Sequence, residues 1–127
     1  MSVALTFVTP PPGLAPLTDF SLDPVDGAVG LYSLVAEANR NVRLYVVDAG
    51  VYLPHYTPVI TDEHAETLGL ATADDAMVLV VATPAATGTT VNLMAPIVVN
   101  SSTGRSAQVI LDGQDWPLQE TLGARAA

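Results

Sequence analysis

The chain contains no cysteine, no lysine and no long apolar run. Without cysteine there is neither a disulfide framework nor thiol chemistry to consider. No apolar run approaches the ~20 residues that a membrane-spanning helix needs. The start, Met1 to Leu5, lacks the basic segment and long apolar segment of a secretion signal. We therefore expect a cytoplasmic protein.

Basic residues are also scarce. Four arginines face thirteen acids, which gives a formal net charge of −9. Nucleic-acid binding depends on neutralising phosphates with Lys and Arg, so this balance disfavours a DNA- or RNA-binding role. An acidic surface attracts basic partners. Maintaining solubility alone is the alternative explanation of the charge.

The order of apolar segments and turns predicts a mainly β protein, a small antiparallel β-barrel or sandwich with one short helix. The helix is expected from about residue 62 to 68, because Thr61 is a good N-cap and Gly69 a good stop. Residues 48–56 have no clear period and are interpreted as an irregular loop, and residues 85–90 as a small-residue loop. We expect one domain over 1–122 and a flexible end at 123–127. The strands are expected at 3–8, 20–22, 29–35, 42–47, 77–82, 97–100 and 105–111.

Residues 92–111 are the most informative stretch. Pro96 lacks the donor that a central strand requires, so it indicates either an edge position or a strand that begins at Ile97. Gly104 ends a predicted hairpin connection. Two asparagines, Asn92 and Asn100, flank the apolar segment and are suited to holding adjoining turns through side-chain bonds to the backbone.

Groups suited to catalysis or metal binding are few. His64 follows Asp62 and Glu63, but adjacent helical residues do not point at a common metal. The pair Asp74-Asp75 falls short of the six to eight oxygens typical of calcium, so a solvated turn is favoured over a cation site. We expect no cofactor, no metal and no enzymatic activity.

An alternative is a small-molecule-binding β-barrel or a small hydrolase that uses the His55 loop. There His55 and Asp48 would line a pocket together with Tyr52 or Tyr56. Trp116 has two interpretations as well, a cap over one end of the core or an anchor in an interface.

The order of these segments resembles the FliW family of flagellar assembly factors. The match covers nearly the whole chain, and Asn-Leu-x-Ala-Pro-Ile-Val-x-Asn at 92–100 is its most distinctive motif. The other matching segments are residues 12–14, 46–48, 52–56, 61–63, 68–70, 108–112 and 116–118.

The resemblance implies a compact, mainly antiparallel β fold without enzymatic activity. It implies two partners, flagellin, which the family binds rather like a chaperone, and the basic translational repressor CsrA. The two compete, so that export of flagellin frees the protein to inhibit the repressor. The protein on its own is expected to be a monomer, and direct contact with nucleic acid or membrane is not expected.

Two segments differ from the usual family pattern. Residues 13–17 read Gly-Leu-Ala-Pro-Leu where Gly-Leu-Pro-Gly-Phe is usual, and Val51, Tyr52 and Leu53 occupy a loop often rich in phenylalanine. We expect partner contacts from that loop, from the 92–100 segment and from acids that suit a basic repressor. The predicted partner-binding residues are Tyr52, Leu53, His55, Tyr56, Asp62, Glu63, Glu66, Asp74, Asp75, Asn92 and Asn100.

Overall fold

The structure, a computed structural model, describes residues 3–10, 14–27, 29–53, 56, 58–72, 75–85, 88–111, 113–116 and 120–121. Within these residues the chain forms nine strands and two short helices. The strands are β1 (Val3–Phe7), β2 (Asp19–Pro24), β3 (Leu31–Ala36), β4 (Arg43–Asp48), β5 (Ala76–Ala85), β6 (Gly88–Val91), β7 (Ile97–Asn100), β8 (Arg105–Gln108) and β9 (Glu120–Thr121). The helices are α1 (Ala49–Tyr52) and α2 (Asp62–Leu68).

Seven of the strands close into a barrel. They follow the order β4-β3-β2-β1-β8-β7-β5, and β5 pairs again with β4 to complete the ring. The β1–β8 pair is parallel, whereas the other pairs formed by the described strands are antiparallel. Strands β6 and β9 extend the sheet from the second half of β5. The predicted mainly β, barrel-like fold is confirmed.

The barrel interior is filled by apolar side chains from six of the seven barrel strands, all except β8, and we call this set the inner core. Alternate residues of each strand face inward, and Phe7 and Phe20 meet edge to face with ring centroids 5.2 Å apart. The inner core consists of Leu5, Phe7, Phe20, Leu22, Leu34, Ala36, Val46, Leu79, Ile97 and Val99. Burying this set is the largest favourable contribution to folding that the sequence pattern specifies.

A second apolar layer lies outside the barrel, over β4, β5, β7 and β8. It consists of two clusters, one around Val47 and Val80 and one around Leu68 and Val98. Trp116 packs against both clusters. Because of this outer layer, Leu79 and Val80 are both fully buried although they face opposite sides of β5. The prediction that this strand is covered on both faces is confirmed.

The 92–111 stretch forms the strand and hairpin that the sequence predicted. Strand β7 begins at Ile97, directly after Pro96. Gly104 has a φ of 80°, and a Cβ placed on it would lie 2.4 Å from the carbonyl oxygen of Ala4. Glycine is therefore required here for two reasons, the backbone conformation and the close approach of β1 at the parallel seam.

Two predictions about loops are wrong. Residues 49–52 form α1 rather than part of an irregular loop, because the Asp48 side chain accepts a bond from Gly50 N at 2.8 Å and caps the turn. Of residues 85–90, predicted as a small-residue loop, residues 88–90 belong to β6 because they pair with the end of β5. In the 13–17 segment, Leu14 and Leu17 pack against the inner core.

Candidate partner-binding surface

The segment after β4 is held against the barrel. Its α1 helix packs on the β2–β3 turn, where the Tyr52 hydroxyl donates to the carbonyl oxygen of Val29 at 2.8 Å. Gly30 lies so close that a Cβ on it would meet the Tyr52 ring at 2.9 Å. Leu53 packs into the outer layer. His55 lies outside the described residues. The side chain of Val51, by contrast, is 40% exposed, and that of Val29 in the β2–β3 turn is 84% exposed.

Tyr56 joins the two clusters of the outer layer. Its ring meets Trp116 edge to face at 4.8 Å between centroids, and its hydroxyl donates to the carbonyl oxygen of Leu93. Burial raises the pKa of the Tyr56 phenol to about 12. The side-chain amide of Gln114 accepts from Val59 N at 2.9 Å and donates to Val59 O at 3.0 Å, which ties residues 58–60 to residues 113–116. Trp116 thus packs over the outer layer rather than over an end of the inner core.

The predicted acids of α2 face solvent. Asp62, Glu63 and Glu66 are exposed, while Leu68 on the opposite side is fully buried. Thr61 caps the helix and accepts from His64 N at 3.2 Å. The helix boundaries agree with the prediction. These three carboxylates form an exposed acidic face, which we call the α2 acidic face.

The remaining predicted acids are positioned differently. Asp75 is half-buried, and one of its carboxylate oxygens accepts bonds from Ala71 N and Thr72 N, each at 3.1 Å. Its backbone oxygen accepts from Ser101. Asp75 therefore has an internal role in the turn before β5. Asp74 lies outside the described residues. Among the residues that the structure does describe, no group of three or more His, Asp or Glu side chains is arranged to hold a metal ion.

The two asparagines bond to the backbone. Asn92 accepts from Met94 N at 3.0 Å. Asn100, 4% exposed, donates to the carbonyl oxygens of Leu68 and Gly69 at 2.9 and 3.2 Å. Its side-chain oxygen accepts from Ser102 N at 2.9 Å and Thr103 N at 3.3 Å. The Asn100 amide is fully occupied within the chain, so we do not retain it as a partner contact.

An open groove of about 650 Å³ lies between α1 and the first half of β5, and we call it the α1 groove. It forms because β4 pairing stops at Asp48↔Leu79, where the chain leaves the barrel wall to form α1. Tyr56 also lines the groove. The other lining residues include Asp48, Gly50, Leu53, Ala76, Met77 and Val78.

The α1 groove brings together some of the residues suggested for a ligand pocket. Asp48 and Tyr56 both line it, whereas the Tyr52 hydroxyl is bonded to Val29. The groove itself was not predicted from the sequence. The only available signal was Asp48 two residues before Gly50, an N-cap pattern in a segment without helical periodicity.

No helix of the described residues is long and apolar enough to cross a membrane. The FliW protein family model matches residues 2–122. A flagellar assembly factor FliW of Thermotoga neapolitana is 32% identical over 87% of this chain and 76% of its own length. One of Thermosipho africanus is 30% identical over 93% and 83%. The crystal structure of a flagellar assembly factor FliW superposes with a TM-score of 0.87 at 25% identity, over 94% of this chain and 84% of the other.

Proposed function

Since the chain belongs to the FliW family of flagellar assembly factors, we propose that it binds two proteins in the cytoplasm. The first is flagellin, which it binds in a chaperone-like manner. The second is the translational repressor CsrA, which it sequesters until flagellin competes for it. Flagellin synthesis is thereby coupled to flagellar assembly.

The observation that carries the proposal is the match over residues 2–122. Surface charge supports a basic second partner. The net charge is −9, and the α2 acidic face presents Asp62, Glu63 and Glu66 to solvent. Opposite surface charge raises the encounter rate of two proteins and favours the correct partner. Exposed apolar side chains at Val29 and Val51 offer a separate contact area beside α1.

Binding of purified CsrA and flagellin from the same host, measured by surface plasmon resonance, tests the proposal. We expect both to bind at micromolar concentration or better, and excess flagellin to displace CsrA. No binding of either protein at that concentration would contradict the proposal. A CsrA complex that persists in excess flagellin would contradict the competition.

Salt distinguishes charge-steered binding from other kinds. Raising the ionic strength from 0.02 to 0.5 M shortens the Debye screening length about fivefold. This change should slow CsrA association by about tenfold. The triple variant Asp62→Asn, Glu63→Gln, Glu66→Gln should lose part of this dependence. An association rate that does not respond to salt would remove the steering role of the acidic face.

A further inference from the structure

The α1 groove has an open strand edge on one side. The carbonyl oxygen of Val81 accepts a bond from Asn92 N. The N–H and C=O groups of Val81 therefore point toward the side of β5 on which β6 and β7 lie. Peptide groups alternate along a strand, so those of Ala76 and Val78 point toward β4. Strand β4, however, pairs with β5 only from Leu79 onward. Within the described part of the chain, no strand covers this edge at Ala76 and Val78.

The groove also has a charge. Among the described residues that line it, Asp48 is the only charged one and none is basic. One Asp48 oxygen accepts from Gly50 N; within the described residues the other makes no hydrogen bond or ion pair. The rest of the lining is mostly apolar, with Leu53 and Met77 half-buried. An apolar floor, an open strand edge and a carboxylate at the rim match an extended peptide that carries a cation.

We propose that the α1 groove is the docking site for an extended segment of a basic protein partner. The segment adds as a short strand to β5 at Ala76 and Val78, places an apolar side chain against Leu53, and pairs an arginine or lysine with Asp48. This mode of recognition obtains affinity from main-chain bonds and specificity from side-chain pockets. The inference rests on the proposed function, because purified CsrA is the basic partner used to test it.

Two substitutions test the groove without removing the α1 cap. Asp48→Asn keeps an oxygen that can accept from Gly50 N but removes the charge. It should weaken CsrA binding roughly fivefold, as for loss of a partly exposed ion pair. Gly50→Arg places a cation at the groove. Gly50 is not among the glycines with a positive φ, and a Cβ on it would lie 3.2 Å from Asp48 Oδ1, so that side chain must shift slightly. We expect Gly50→Arg to weaken binding by more than about twentyfold, since like charges at an interface oppose association strongly.

Matched controls separate the groove from overall charge and from folding. Asp19→Asn removes the same charge at the start of β2, which is the end of that strand away from the β2–β3 turn and α1. It keeps an oxygen that can accept from the Thr6 hydroxyl. Gly50→Ala adds a methyl group at the same position without adding charge. Both should bind CsrA within about twofold of the wild type. Circular dichroism and thermal unfolding confirm that each variant is folded before its affinity is compared.

Amide hydrogen exchange gives an independent readout in the wild-type complex. Exchange of the Ala76 and Val78 amides should slow by at least about tenfold when CsrA binds, because strand addition protects both. Unchanged exchange there, or wild-type affinity in either groove variant, or an equal loss in Asp19→Asn, would overturn the inference and leave the proposed function standing. A wild-type protein that binds neither CsrA nor flagellin would overturn both.

Discussion

Replacing Asn100 is the sharpest test of how the outer layer is held together. Its side-chain amide makes four bonds to the backbone, two to the end of α2 and two to the turn after β7. The side chain is 4% exposed, so water cannot readily replace those bonds in Asn100→Ala. The substitution therefore leaves the buried carbonyl oxygen of Leu68 without this partner, removes the partly buried bonds to Gly69, Ser102 and Thr103, and removes the link between α2 and the barrel.

The expected cost follows from these bonds. A net contribution of about 1 kcal/mol per bond, reduced because neighbouring bonds are not independent, gives a loss of about 3 kcal/mol in the free energy of unfolding. For a domain of this size, that loss lowers the melting temperature by about 10 °C. Asn100→Asp keeps the acceptor oxygen for Ser102 N and Thr103 N but places a second oxygen against the carbonyls of Leu68 and Gly69. It should be at least as destabilising at neutral pH.

Urea denaturation followed by circular dichroism measures the effect. Asn39→Ala is the control, since the Asn39 side chain accepts from Asn41 N in an exposed turn, and it should cost under about 1 kcal/mol. If Asn100→Ala unfolds within 1 kcal/mol of the wild type, the role assigned to its four bonds is refuted. If the variant is equally stable and loses affinity for CsrA or flagellin, Asn100 is a partner contact after all.

Three further outcomes are expected. Gly104→Ala should lower the free energy of unfolding by about 3 kcal/mol, because a φ of 80° is combined with a Cβ placed 2.4 Å from Ala4 O. Gly27→Ala has the same φ and nothing within 4 Å, so it should cost about 1 kcal/mol. Similar losses for the two variants in urea denaturation would show that the contact with Ala4 does not matter. Tyr56 has a folded-state pKa of about 12 against an ordinary 10. Its contribution to stability is therefore complete below pH 10 and is lost as pH rises from 10 toward 12. Tyr56→Phe should fall less steeply in melting temperature over pH 9.5–11, and identical slopes would contradict this. Trp116 fluorescence should shift to longer wavelength on unfolding in one step with circular dichroism, since one outer layer covers the barrel; separate transitions would contradict it.

Features controlled by local chemistry were predictable from the sequence. Thr61 and Gly69 fixed the ends of α2 because a hydroxyl cap and a terminal glycine act on neighbouring backbone groups. Pro96 fixed the start of β7 because proline cannot donate to a strand ladder. The alternation of apolar residues indicated the barrel strands for the same reason, since one face of each strand must be buried.

Features that depend on distant contacts were not predictable. Helix α1 is a single turn, too short to show a period, and it is held by contacts with the β2–β3 turn through Tyr52. Strand β6 is a run of small and polar residues that becomes a strand because β5 is long enough to pair with it. The α1 groove exists because β4 pairs with β5 only from Leu79 onward and leaves residues 76–78 of β5 without a β4 partner. That is a property of the barrel register rather than of any one segment.

The residues that identify the family and those that bind a partner are therefore expected to respond differently to mutation. The amides of Asn92 and Asn100 bond to the backbone of their own chain, so changing them should lower stability first and affinity only through unfolding. Glu66 presents an exposed carboxylate, and Asp48→Asn keeps the oxygen that caps α1, so loss of the charge at either position should cost little stability. Loss of stability and loss of affinity can be measured separately. If variants at Asp48 and Glu66 lose as much stability as Asn100→Ala, these carboxylates are structural. That result would remove the basis for assigning them to a binding surface.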